Sequence, residues 1–363
     1  MSSSTPDAGE SRHDDPPTAP VGRRRKQRVS MADVARLAGV SSQTVSRVAN
    51  GHSSVVESTR DQVLEAMRTL GYRPNSAARA LKYGEFRTIG VILFSLSSTG
   101  NSRTLEAIAT HAAAEGYAIT LIPVAARTQD HVQGAFTRLG ELAVDAVIVI
   151  MEAHLLDTVS FTLPPDVHVV MVDSDAGDRY SVVDTDQADG ARQAVQHLLN
   201  LGHRTVWHVA GPAESFAAER RTAAWRKVLE SAGREVPPVR RGDWSSESGY
   251  RIGLELADEP SCTAVFAAND QMAVGLLRAF GEKGRRVPAD VSVVGFDDVP
   301  GTAAWFVPPL TTVHQDFAEV GRRCVQGALD QIRGGRHPAP GTTLVPTRLV
   351  VRQSTAPPPT GSE

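Results

Sequence analysis

The chain has 363 residues, 41% hydrophobic and 22% charged, with a formal net charge of −3 at pH 7, the composition of a soluble globular protein of two or three domains. No stretch approaches the ~20 apolar residues of a membrane span, and the polar, proline-bearing first twenty residues hold no apolar run of the signal-peptide kind. Two isolated cysteines, Cys262 and Cys324, are too few for a disulfide framework or a zinc site, so the expectation is a cytoplasmic protein without metal, cofactor or redox chemistry.

Charge is unevenly spread, since five of the six residues from Arg23 to Arg28 are basic. Such a run is read either as a solvated tail or as a nucleic-acid contact. From Ser30 the pattern turns helical. Val34, Leu37 and Ala38 share a face until Gly39, and after the turn Gly39-Val40-Ser41 a second helix runs from Gln43 to Ala49, capped by Ser41 or Ser42, with Val45, Val48 and Ala49 inward. The spacing predicts a helix-turn-helix with Gln43, Thr44, Ser46 and Arg47 on the outer side. Gln pairs bidentately with adenine and Arg with guanine, although an ordinary helical hairpin shows the same apolar spacing. A third helix is expected from Thr59 to Leu70, capped by Ser58, with Val63, Met67 and Leu70 closing a small core. The stretch Ser76–Lys82 is rich in helix formers but too short to be stable alone.

The residues Met31-Ala32-Asp33-Val34-Ala35-Arg36-Leu37-Ala38-Gly39-Val40-Ser41-Ser42-Gln43-Thr44-Val45-Ser46-Arg47-Val48-Ala49-Asn50 resemble the headpiece signature of the LacI/GalR family of transcriptional regulators. That resemblance implies DNA contacts from Met31, Ser41, Ser42, Gln43, Thr44, Ser46, Arg47 and Asn50. It also implies a hinge helix bearing Asn75, Ala78 and Leu81, which pairs with its twin in a homodimer and pushes Leu81 into the minor groove. A wedge of that kind must be apolar to unstack a base step. Ser42 stands where the lactose-repressor branch has a large aromatic, so a different operator preference is expected.

Beyond Gly84, apolar runs at 89–93, 118–122, 146–150 and 167–172 read as buried parallel strands. Further strands are expected near 206–210, 264–267 and 291–296, with helices at 188–201 and 271–283. Two βαβ sets predict two doubly wound α/β lobes behind an all-α headpiece, with ligands at the carboxyl ends of the strands. Phe94-Ser95, Asn269-Asp270 and Asp297-Asp298 follow such strands, though similar residues cap helices in any α/β protein.

The segments 268–275, 294–298 and 309–317 resemble the periplasmic-binding-protein-like effector domain of the same family, and 209–212, 220–225 and 242–245 resemble its lactose-repressor branch. By that resemblance Arg221, Asn269 and Asp297 hold ligand hydroxyls, Trp244 and Phe317 wall the pocket, and Gln315 lines it. Phe94 and Ser95 would close one side, with Phe94 a departure that reshapes the pocket. Arg, Asn and Asp beside an aromatic face suit a sugar.

The expected layout is a disordered tail over 1–28, a headpiece over 29–73, a hinge over 74–84, a two-lobed effector and dimerisation domain over 85–355 and a disordered end over 356–363. The expected partners are double-stranded operator DNA, a small-molecule effector of galactoside-like chemistry and a second copy of the chain, with no membrane. The carboxyl end lacks leucine heptads, hence a dimer rather than a tetramer. Other readings are a nucleobase or phosphosugar corepressor, or, in another class, a sugar-transport protein or an α/β enzyme. No G-x-S-x-G elbow, phosphate loop or metal-ligand cluster supports the enzyme.

Overall fold

A computed structural model describes residues 29–50, 54–72, 85–93, 95–96, 98–124, 134–135, 137–138, 144–150, 167–175, 179–334 and 340–359. The described chain divides into two compact units, one ending at Tyr83 and the other beginning at Gly84. The basic run 23–28, the hinge residues Asn75, Ala78 and Leu81, and Phe94 lie outside the described residues.

In the first unit Ser30 opens α1 (Met31–Leu37) through a capping box with Asp33, satisfying backbone donors that the first turn leaves without partners. Gly39, at φ +62°, supplies the left-handed turn. Ser41 then caps α2 (Ser42–Ala49) by accepting from Thr44 N at 3.1 Å. Helix α3 (Glu57–Leu70) stops at Gly71 in the left-handed conformation. Ser58 is not its cap: the helix begins two residues earlier than expected, after Val56, which makes no side-chain capping bond. Leu37 is 52% exposed, and Ala35 takes its place in the core with Val34, Ala38, Val45, Val48, Val63, Ala66 and Met67.

In the second unit the four apolar runs become β1 (Thr88–Leu93), β2 (Ala118–Pro123), β3 (Ala146–Ile150) and β4 (His168–Val172). With β5 (Ser181–Thr185) and β11 (Gly341–Val345) they form a parallel sheet in the order β11-β5-β4-β3-β1-β2. Alternate residues of β3 enter different clusters, Ile148 with Ile108 and Val325, Val149 with Ile122 and Met171. Burial on both faces explains why the run is uniformly apolar. Helices α4 (Thr99–Ala114) and α9 (Phe317–Gly334) pack together on this first lobe.

The second sheet has the order β12-β10-β9-β8-β6-β7. Its members are β6 (Trp207–Ala210), β7 (Arg240–Arg241), β8 (Ala264–Ala267), β9 (Ser292–Asp297), β10 (Thr311–His314) and β12 (Arg348–Val350), the last antiparallel to β10. Helices α5 (Gln187–Asn200) and α6 (Phe216–Ser231) cover one face, and α7 (Ser246–Ala257) and α8 (Asp270–Glu282) the other. The sequence pattern missed β5, β7, β10, β11 and β12, which are short, threonine-bearing or at an edge. Helix α9 returns to the first lobe, so the lobes are not consecutive in sequence. The chain crosses between them at 186, at 315–316 and at 346–347, where Asp186 N donates to the Val345 carbonyl at 2.8 Å and Thr347 Oγ1 to the Asp186 carbonyl at 3.2 Å.

The end of the chain corrects one expectation. Residues from 356 read as disordered, yet Ala356 N donates to Ser292 Oγ at 3.0 Å, and His203 Nε2 lies 3.0 Å from the Ala356 carbonyl. Backbone pairing of Ser354 and Val293 holds this proline-rich strap along the second sheet as far as Pro359, a tie that composition does not reveal.

Candidate DNA-reading helix and effector cleft

Helix α2 buries Val45 and Val48, and that fixes which residues face outward. Ser42, Gln43 and Arg47 are exposed, as is the cap Ser41. Thr44 and Ser46 are only half-buried, and both are engaged locally: Thr44 Oγ1 lies 2.9 Å from Ser41 Oγ, and the Ser46 carbonyl accepts from Asn50 Nδ2 at 2.7 Å. Met31 packs against the headpiece core. The fully exposed residues of this helix and its cap are therefore Ser41, Ser42, Gln43 and Arg47.

The cleft of the second unit lies where carboxyl ends of strands from both sheets converge. The cavity there is small, about 70 Å³, and Arg221, Trp244, Asn269, Asp297, Gln315 and Phe317 all line it. Arg221 is 4% exposed, not a surface arginine. Its guanidinium stacks 3.7 Å from the Phe296 ring centroid, donates from Nε to Gln187 Oε1 at 2.8 Å and from Nη1 to the Ala268 carbonyl, and lies 3.9 Å from Asp297 Oδ1. Gln315 Nε2 donates to Asp297 Oδ1 at 2.7 Å, and Gln187 Nε2 to Gln315 Oε1 at 3.5 Å. Residues from α6, α5, β9 and the 315–316 crossover thus close a ring of donors and acceptors, and such a ring fixes each side chain's orientation.

Asn269 caps α8 through Met272 N at 2.9 Å and donates from Nδ2 to the Trp244 carbonyl at 3.0 Å. Trp244 sits at φ +72°, and its indole N–H has no acceptor among the described residues. A Cβ placed on Gly211 would come within 2.3 Å of the indole Cζ2, so the ring lies flush on that glycine. Among the described residues, Trp244, Asp297 at φ +116° and Asp173 at φ +51° are three of five non-glycine residues with positive φ, and all three line the cleft. Backbone strain of this kind persists where the surrounding structure over-determines it, commonly at ligand sites.

Ser95 does not line the cleft; its carbonyl accepts from Asn101 Nδ2 at 3.1 Å, and Ser98, Thr99 and Asn101 supply the polar edge instead. Sequence reasoning also missed Asp173, Asp184 and Gln187. The first follows β4, as the strand-end rule allows, whereas Asp184 lies within a strand that was not recognised. Burial pushes the Asp184 carboxyl up to about 6, although Arg220 beside it pulls the other way. Among the described lining residues, three carboxylates (Asp173, Asp184 and Asp297) face one cation, Arg221.

A small helical unit with an exposed polar second helix, joined in one chain to a two-lobed α/β cleft, is the arrangement of a DNA-binding regulator of the LacI type. Residues 30–75 match the family described as bacterial regulatory proteins, lacI family, and residues 195–355 the periplasmic binding protein-like domain. The chain is 36% identical to the lactose operon repressor of Escherichia coli K12 over 337 residues, 92% of each chain. It is 31% identical to the HTH-type transcriptional repressor PurR of Pasteurella multocida, over 90% of this chain and 98% of that one. A lac repressor dimer bound to operator and the anti-inducer ONPF aligns with a TM-score of 0.79 at 34% identity, over 91% of this chain and all of that one. A complex of the regulator CelR with cellobiose aligns with a TM-score of 0.66 at 31% identity, over 90% and 100%.

The chain belongs to the LacI family of transcriptional regulators. That membership sets aside the readings of the body as an enzyme or a transport protein. Among the described residues, no helix is long and apolar enough to cross a membrane, and no cluster of His, Cys, Asp or Glu is placed to hold a metal.

Proposed function

We propose that this protein is a homodimeric repressor that sets α2 of each headpiece into the major groove of a pseudo-palindromic operator, and that a neutral sugar in the cleft controls its grip. The observation that carries the sugar is the closed ring Gln187–Arg221–Asp297–Gln315 beside Trp244 and Phe317. It presents paired donors and acceptors next to an aromatic face, the match for a polyol with one apolar side. PurR is the relative that favours a purine reading.

The relatives support the partners: solved structures similar to this chain include a lac repressor dimer bound to operator and a complex of CelR with cellobiose. On DNA, Arg47 and Gln43 reach base edges. Replacing either with alanine is expected to reduce discrimination between operator and mutated sites by about 1–3 kcal/mol, measured by fluorescence anisotropy at fixed salt. Equal losses on specific and random duplexes would make them phosphate contacts instead. The effector test is an operator complex challenged with galactosides, glucosides, phosphosugars and purines. A neutral sugar should change occupancy; a response to purines alone would replace the sugar reading.

A further inference from the structure

Arg220 precedes the cleft arginine on α6, and from sequence it reads as a surface cation. The fold places it at the boundary between lobes. Helix α6 belongs to the second lobe, yet the guanidinium ends among three carboxylates of the first: Asp173 and Asp175 after β4, and Asp184 in β5. Its Nη1 donates to Asp184 Oδ2 and lies 3.7 Å from Asp173 Oδ1, while Nη2 donates to Asp175 Oδ1 and to the Ser174 carbonyl at 3.3 Å. Two of these acceptors, Asp173 and Asp184, line the cleft.

We propose that Arg220 is the latch of the effector cleft, a positioning residue that ties the second lobe to the first and holds Asp173 and Asp184 in place as acceptors for the effector. The assignment of an effector to this cleft is the reading given above, and the latch builds on it. Charge-assisted bonds are roughly twice as strong as neutral ones. A second interlobe side-chain bond, from Gln271 Nε2 on α8 to Thr99 Oγ1 on α4 at 2.5 Å, is neutral. If the lobes parted, three neighbouring carboxylates would lose their shared cation and repel one another, so Arg220 biases the pair of lobes toward closure.

Asp184 is 2% exposed, and burial raises its carboxyl to about 6 against the pull of Arg220 and Arg221 on α6, with Asp175 adding to the rise. Arg220 is therefore one of the two cations that oppose protonation of this buried acceptor.

Lobe separation can be read without any effector. Fluorophores placed by Thr110→Cys on α4 and Glu230→Cys on α6 report the distance, because both positions are exposed while Cys262 and Cys324 are fully buried and their thiols are pushed up by that burial. The full-length protein should show a compact population at pH 8. Arg220→Met should show a wider separation at the same pH, and Arg220→Lys should recover part of the compact population. Should Arg220→Met fail to fold, Asp175→Asn, at a half-exposed position, should give an intermediate shift. Native separations in these variants would overturn the latch. Because no effector is used, failure of the sugar panel would count against the effector reading alone.

Discussion

Trp244 shows how one residue's position can hang on another that carries no side chain. The indole rests on Gly211, where a Cβ would approach Cζ2 to 2.3 Å, and its carbonyl is held by Asn269. Gly211→Ala is therefore expected to displace the ring and weaken effector binding about tenfold, the equivalent of roughly 1.4 kcal/mol. Operator binding should be unchanged without effector, and a shift in tryptophan emission should accompany the loss. Unaltered effector titrations would show that the indole does not contribute to the site. Asn269 and Asp297 could be read from the sequence because they follow apolar strands, where the strand-end rule looks for ligand contacts, whereas Arg221, Gln315 and Phe317 came only from resemblance to the family. Gln187, Asp173 and Asp184 were not legible, since nothing local distinguishes them from helix-capping or loop residues. Ser95 shows the converse: it follows a strand but does not line the cleft, and its carbonyl accepts from Asn101.

At the scale of elements, the second lobe depends on the close approach of α7 and α8. A Cβ on Gly275 would lie 2.0 Å from the Ser246 carbonyl oxygen, and one on Gly249 2.2 Å from that of Met272. These obstacles are backbone atoms and cannot rotate away, so Gly275→Ala should force the helices apart and destabilise the unit by about 1–3 kcal/mol or more. Chemical denaturation followed by circular dichroism measures this, and an unchanged midpoint would mean that the pair has slack. Most elements were readable because their period matched their burial: α1 and α2 from the valine spacing, β1, β3 and β4 from unbroken apolar runs. Strands β10 and β11 escaped notice because threonines there look polar in sequence. Thr311 and Thr312 are in fact fully buried, with Thr312 Oγ1 donating to the buried Asp270 at 2.6 Å.

For the whole molecule, the proposed dimer needs an apolar surface that the single chain leaves open. Trp305 is 79% exposed and Val307 92% exposed, while Phe306 between them packs into the core of the second lobe. Anchors of this kind, held rigidly on a buried neighbour, dominate interfaces. Trp305→Asp should convert a dimer into a monomer in sedimentation velocity and weaken operator binding with it; a persistent dimer would place the interface elsewhere. By itself the sequence determined the helix-turn-helix, the α/β character of the body and the identity of most cleft residues, because periodicity and short motifs are local properties of the chain. Only the tertiary structure decided that α9 returns to the first lobe, that the strap from 351 to 359 is pinned along the second sheet, and that Arg220 faces three carboxylates across the lobe boundary. Each of those joins residues tens to well over a hundred positions apart, and their energies come from burial and pairing across the fold, which no local pattern in the chain encodes.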